Sequence, residues 1–317
     1  MKVLLAAPRG FCAGVDRAIE IVEMALEVYG PPIYVRHEII HNEHVVARLR
    51  ERGAIFTDYL SEVPRGSNLV FSAHGVSPAV RAEAAERNLN VIDATCPLVT
   101  KIHLEVHKFL KRGYGIFFIG HRGHVETEGT LGEAPDRLVL VTTEEEVDAL
   151  PEPTEEKLIY LTQTTLSIDE TRGIVEALKR RFPRLSDPPG SDICYATQNR
   201  QDAVKQLARQ SDVILVVGSQ TSSNSRSLRQ VAAAHGVRAA YLIDGRENIT
   251  DEMIGGAGVV GVTAGASAPE DVIQGVVDEM RLRGATSVEE FVLLEEDVEF
   301  KLPPGLVQLY AGSRGPG

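Results

Sequence analysis

Three cysteines, Cys12, Cys96 and Cys194, are the side chains of this 317-residue sequence with the most chemical potential. Cys12 lies between the apolar run Val3 to Ala7 and the helical-looking stretch Ala18 to Tyr29, so it sits where a buried strand stops and a helix begins. At such a turn, backbone N–H groups and the positive end of the helix dipole favour a thiolate, and Gly10 and Gly14 allow close approach. A thiolate there is a nucleophile or a metal ligand, whereas a lone cysteine is more commonly a small apolar residue packed at a strand end. The odd count and the absence of any Cys-x-x-Cys argue against a disulfide framework, a zinc ribbon and a thioredoxin-type site.

The elements that must position these cysteines alternate along the chain. Ile33 to Val35, Leu69 to Phe71, Val91 to Ile92, Ile116 to Ile119, Leu138 to Val141, Leu158 to Leu161, Val213 to Val217, Ala239 to Ile243 and Val259 to Val262 read as buried strands. Amphipathic stretches such as Val99 to Arg112 and Glu170 to Phe182 lie between them. This is parallel α/β architecture, in which ligand-binding groups collect in loops after the strands. Those loops repeat: His41 and His74 follow Cys12 by 29 and 62 residues, His124 and Thr164 follow Cys96 by 28 and 68, and Asn224 and Ser267 follow Cys194 by 30 and 73. The spacing predicts three similar α/β units, 1–93, 94–188 and 189–284, in a pseudo-threefold arrangement. The third unit has no clear strand before Cys194, and residues 1–13 are the candidate to fill that place. Residues 285–317 are expected to form an acidic, β-like tail that becomes loose beyond Val307 and disordered at its Gly-Ser-Arg-Gly-Pro-Gly end.

If the units face inward, each donates one sulfur and two polar loops to one centre. Three soft thiolates suit an iron-sulfur cluster better than a hard cation, and a cubane held by three cysteines leaves one iron open as a Lewis acid that also delivers electrons. His41 and His74 recur at the two loop positions, where an imidazole N–H can donate to a phosphate oxygen. Asn224 could equally cap a helix, and Ser267-Ala-Pro-Glu270 fits a capping box. In Gly120 to Gly129, a carboxyl group near thiolates and phosphate would have its pKa raised and so serve as a proton donor, but spacing leaves open whether Glu126 or Glu128 points inward. His103 and His107, four apart on a helix, read as surface residues.

Lys and Arg total 33 against 45 Asp and Glu, a net charge of −12 that argues against nucleic acid or an anionic membrane as partner. A small anion remains compatible, because helix N-termini and histidines can build a local site. No uncharged run reaches the length of a membrane span and no signal-peptide pattern opens the sequence, so a cytoplasmic protein is expected.

Pro8-Arg-Gly-Phe-Cys12-Ala-Gly-Val, Ser72-Ala-His74-Gly-Val-Ser, Asp93-Ala-Thr-Cys96-Pro-Leu-Val, Gly120-His-Arg-Gly-His124, Thr162-Gln-Thr-Thr165-Leu-Ser, Asp192-Ile-Cys194-Tyr-Ala-Thr, Gly218 to Ser225 and Thr263-Ala-Gly-Ala-Ser267 closely resemble the LytB family of 4-hydroxy-3-methylbut-2-enyl diphosphate reductases. The resemblance runs to about Leu282. It implies a [4Fe-4S] cluster at Cys12, Cys96 and Cys194, with the substrate hydroxyl on the open iron and a two-electron reductive dehydroxylation yielding isopentenyl and dimethylallyl diphosphate, the last step of the methylerythritol phosphate route. It further implies that His41, His74, His124, Ser222, Ser223, Asn224 and Ser267 hold the diphosphate, that Glu126 feeds protons, and that Thr164 binds the hydroxyl. Ferredoxin or flavodoxin would be the electron donor. Val125 departs from the family pattern, which more often has proline there. Two alternatives stand beside this reading: a hydrolase with one metal ion held by His41, His74 and His124, and a non-catalytic iron-sulfur sensor.

Overall fold

A computed structural model describes residues 1–313. In chain order, β1 (Lys2–Ala7) leads into α1 (Ala13–Tyr29), followed by β2 (Ile33–Arg36), α2 (Glu43–Glu51), β3 (Ala54–Thr57), β4 (Asn68–Phe71), α3 (Pro78–Glu86) and β5 (Asn90–Asp93). Next come α4 (Pro97–Lys111), β6 (Tyr114–Ile119), α5 (Val125–Leu131), β7 (Leu138–Val141), β8 (Lys157–Thr162), α6 (Ile168–Arg181) and β9 (Leu185–Ser186). The last third holds α7 (Tyr195–Ala208), β10 (Val213–Val217), α8 (Ser223–Ala234), β11 (Ala239–Ile243), α9 (Asp251–Ile254), β12 (Val259–Ala264), α10 (Glu270–Leu282), β13 (Ser287–Val292) and α11 (Pro304–Ser313).

The strands form three sheets of one plan, ordered β3-β2-β4-β5, β7-β6-β8-β9 and β11-β10-β12-β1-β13, with every pairing parallel. The fourth strand of each sheet leads to a cysteine: β5 to Cys96, β9 to Cys194 and β1, borrowed from the start of the chain, to Cys12. The N-terminal strand therefore closes the third sheet, as its apolar run allows. Strands covered by helices on both faces need apolar residues at every position. In β1, Val3 and Leu5 pack against Ile273 and Val276 of α10, while Leu4 and Ala6 pack on the other face against Val204 and Leu207 of α7.

The C-terminal segment is more ordered than expected. β13 adds a parallel edge strand to β1, with Lys2 opposite Ser287 and Ala7 opposite Val292. Pro304–Ser313 is a helix, not a loose end, because Leu302, Leu306 and Tyr310, four residues apart, turn one apolar face onto α1 and the first core. The expected disorder of the extreme end falls on residues 314–317, outside the described residues. Two further corrections concern the second unit. The Gly120 to Gly129 segment is only half loop, since His124 caps α5 and Glu126 lies in its first turn. His103 is buried, its Nδ1 2.8 Å from Glu133, while His107, which holds the other carboxylate oxygen at 2.7 Å, is exposed as expected.

Candidate functional site

Cys12, Cys96 and Cys194 occupy the N-cap positions of α1, α4 and α7, and all three line one cavity of about 110 Å³ between the sheets. A Cβ added at Gly14 would sit 2.8 Å from Cys96 Sγ and 3.9 Å from Cys12 Sγ, so glycine is what lets two sulfurs from different units come this close. Burial outweighs the helix-terminus effect that favours thiolate. It pushes the Cys96 thiol up to about 12 and Cys194 to about 11, with the neighbouring sulfurs adding to both, and it raises Cys12 against the opposing charge of Arg200. Backbone N–H groups of Leu98 and Val99 at Cys96, and the Thr197 side chain and N–H at Cys194, pull the other way. Three half-buried sulfurs that repel one another as thiolates fit a bound cationic group that compensates their charge.

Opposite the sulfurs, the rings of His41, His74 and His124 meet with centroids 4.3, 5.4 and 6.0 Å apart. Burial and mutual repulsion lower the pKa of His74 well below the usual value and that of His124 to about 3, so both rings are neutral at physiological pH. His124 Nδ1 accepts the Glu126 N–H at 3.2 Å, which leaves the proton of the neutral ring on Nε2. That Nε2 and the Nε2 of His41 are buried without a partner among the described residues, although both rings line the cavity. His41 Nδ1 pairs with Glu38 at 3.1 Å and His74 Nδ1 with Ser72 Oγ at 3.3 Å. Among the described residues, no three His, Cys, Asp or Glu side chains are set to hold a single metal ion.

The third unit closes the histidine end. Ser222, rather than Asn224, caps α8 by accepting the Ser225 N–H at 3.2 Å. Asn224 instead joins the first turn of α7 to the loop after β12, donating to Thr197 Oγ1 at 3.0 Å and accepting from the Ala266 N–H at 2.9 Å. Ser223 Oγ lies 3.2 Å from His121 Nδ1. Ser267 does not cap α10, whose cap position is Pro269. Its hydroxyl donates to the His41 carbonyl at 3.2 Å, linking the third unit to the first.

Glu126 is buried in the cavity wall, whereas Glu128 is exposed, so the helix phase of α5 selects the former. Its Oε1 accepts the Thr164 N–H at 2.6 Å and its Oε2 accepts the Thr164 hydroxyl at 3.0 Å. Burial raises the Glu126 pKa and these two bonds oppose the rise. The Thr164 carbonyl accepts the Cys194 N–H at 3.0 Å, so one residue ties the carboxyl group to a cysteine turn.

Every residue to which the family resemblance gave a role thus lines this cavity, whereas Glu128, His103 and His107 do not. Sequence reasoning missed Thr165, Thr197 and Ala266 in its wall, and the buried Gln163 behind it, which receives the Thr127 hydroxyl and His121 N–H and donates to Thr165 and Ser223. It also missed Arg200, fully buried, which donates to the carbonyls of Gly10, Phe11 and Ala196 and pairs with Glu296 at 3.1 Å. Thr197 stands three residues after Cys194, a spacing that signals an N-cap contact. Nothing local distinguishes Arg200 from a surface arginine of an amphipathic helix.

The profile described as LytB protein matches residues 3–281. The chain belongs to the LytB family. Among its relatives in this family, a protein of Methylococcus capsulatus named 4-hydroxy-3-methylbut-2-enyl diphosphate reductase is 55% identical over 98% of this chain and 100% of its own length. A Corynebacterium diphtheriae protein of the same name is 56% identical over 96% of this chain and 92% of its length. A solved structure of the Plasmodium falciparum E-1-hydroxy-2-methyl-but-2-enyl-4-diphosphate reductase superposes with a TM-score of 0.95 at 39% identity, covering 99% of both chains. A second LytB-type structure, described as the terminal enzyme of the non-mevalonate pathway, superposes at 0.63 with 30% identity over 89% of this chain and all of its own.

Proposed function

We infer that this LytB-family chain reductively dehydroxylates (E)-4-hydroxy-3-methylbut-2-enyl diphosphate to isopentenyl and dimethylallyl diphosphate. Two electrons and two protons enter and water leaves. The observation that carries the reading is the convergence, in one cavity, of three half-buried thiols, imidazole nitrogens with no partner among the described residues, and a buried carboxyl group. Cys12, Cys96 and Cys194 would hold a [4Fe-4S] cluster, which supplies the electrons and a Lewis-acid position when bound. The division into units near residues 93, 188 and 284 belongs to the same reading.

His41, His74 and His124 bind the diphosphate as hydrogen-bond donors, with Nε2–H of the neutral His124 directed to a phosphate oxygen. Neutral rings at His74 and His124 suit the pocket because they avoid stacking cations in one buried place. Ser222, Ser223 and Asn224 lie at the N-terminal end of α8, where the helix dipole favours negative charge, and Ser267 holds the His41 loop against it. Glu126, whose pKa burial raises, is the proton source in this reading and passes its proton by way of the Thr164 hydroxyl paired with its Oε2. Thr164 positions the substrate alcohol at the junction of that carboxyl group and the Cys194 turn. The walls exclude bulk water from the reacting allyl group.

Anaerobically reconstituted protein, reduced with methyl viologen, should convert the hydroxylated diphosphate to the two products. Brown, iron- and sulfide-loaded protein that consumes none of it would reject the reaction. Colourless, zinc-loaded protein that hydrolyses phosphate esters would replace it with the hydrolase reading.

A further inference from the structure

A groove of roughly 770 Å³ runs behind the Cys96 turn, between the exposed side of α4 and the C-terminal segment. Thr95 and Pro97, the residues on either side of Cys96, line it, so the groove reaches the chain within one residue of a cavity sulfur. Its centre is apolar: Leu104 is 64% exposed, and Leu302, Pro303 and Pro304 face it from the opposite wall. Its rim is basic, although the protein as a whole carries −12. The two carboxylates in the groove are already matched, Asp93 by Arg81 at 2.8 Å and Glu105 by Lys101 at 3.8 Å. Lys108 and Lys301 are exposed and form no ion pair among the described residues. Arg17 adds a further cation, its guanidinium donating to the carbonyls of Ala94, Thr95 and Lys301 while also lying in the field of Asp93.

An apolar floor whose unmatched charges are cationic, on a protein of opposite net charge, is built to receive a partner carrying the complementary sign. We propose that this groove docks a small acidic one-electron carrier protein, apolar patch to Leu104 and Leu302, acidic rim to Lys108, Lys301 and Arg17. The inference rests on the reductase reading, which requires a reductant. One electron leaves the reduced carrier at each encounter, and two encounters supply the pair that the dehydroxylation consumes. The position suits this use, because a carrier seated here lies against the Cys96 turn while the diphosphate end of the cavity, built from the His41, His74 and His124 loops, stays free for substrate.

The test is calorimetric titration of the holoprotein with an oxidised acidic ferredoxin and, separately, with an oxidised acidic flavodoxin, at low and moderate ionic strength. The wild type should bind at least one, with affinity that falls as salt is added. The double variant Lys108→Glu/Lys301→Glu should bind it at least about tenfold more weakly at low salt, with a flatter salt dependence. Leu104→Ser should weaken binding without changing the salt slope. Both variants should keep wild-type visible absorbance and wild-type turnover with reduced methyl viologen, which needs no docking site. Equal affinity of the charge-reversed and wild-type proteins, or no binding of either carrier by the wild type, overturns the docking site. A wild type that binds the carrier but makes no product even with methyl viologen overturns the reductase reading instead.

Discussion

The two ends of the cavity respond to burial in opposite directions and arrive at the same state. At the cysteine end, desolvation pushes the thiols up, to about 12 and 11 at Cys96 and Cys194. At the histidine end it pushes His124 down to about 3. Cys96 and Cys194 at one end and His74 and His124 at the other are thereby held uncharged, and in the proposed reading each end receives a charge that a guest brings, a cationic inorganic group at the sulfurs and an anionic diphosphate at the imidazoles. The contrast lies in what each end asks of the chain. Sulfur ligation needs three atoms at set positions and tolerates no substitute, whereas anion binding spreads over several donors and degrades gradually.

The largest effect should therefore come from the cysteine end. Cys96→Ser should lose the iron-sulfur absorbance and most of the bound iron, and lower turnover by more than about a thousandfold. Full iron content with undiminished product would erase the distinction between the two ends. Between them sits Glu126, and Glu126→Gln should cut turnover by roughly 10² to 10⁴ while leaving absorbance and substrate affinity near wild type, since only the transferable proton is lost. Glu128→Gln should be silent; the reverse pattern would mean that the helix phase of α5 had selected the wrong carboxylate. Gly14→Ala should lower cluster content measurably, because the new methyl group meets Cys96 Sγ at 2.8 Å. Unchanged iron stoichiometry would show that the Cys96 turn yields.

At the histidine end, His124→Gln should weaken binding of inorganic diphosphate by roughly tenfold, the loss of one good hydrogen bond. The same variant tests the ionisation argument. The unfolded chain takes up a proton on this ring below about pH 6.5, the folded protein refuses it until about pH 3, and so folding stability should fall on acidification between those values. The slope is at most about 1.4 kcal/mol per pH unit from this one group, and His124→Gln should flatten it. A denaturation series equally steep in both proteins would place the acid sensitivity elsewhere. The smallest expected effect is a gain. Val125 is the first residue of α5, preceded by His124 at φ −77° and ψ 135°, a conformation that a following proline permits. Val125→Pro should raise Tm by about 2 °C with no change in turnover.

Local signals made much of this legible. Parallel strands buried on both faces are continuous apolar runs, and those runs stood out in the sequence, except for Ala54–Thr57 and the two-residue Leu185–Ser186, too short or too exposed to announce themselves. Cysteines at strand-to-helix turns, and polar loops recurring at similar intervals after each, were enough to predict a shared centre. What local pattern misjudged were residues whose environment is set by distant chain. His103 on an amphipathic helix reads as surface until Glu133 arrives beside it, and Leu306 and Tyr310 read as a loose end until α1 offers them a core.

The sequence by itself determined the alternation of strand and helix, the family, and the residue types able to bind sulfur-loving metal and phosphate, because periodicity and side-chain chemistry are properties of neighbouring residues. Only the tertiary structure decided that Glu126 rather than Glu128 faces inward, that the first strand closes the last sheet, and that the thiols of Cys96 and Cys194 and the rings of His74 and His124 are held neutral. Those outcomes follow from desolvation and contact, and both depend on which parts of the chain, hundreds of residues apart, exclude water together.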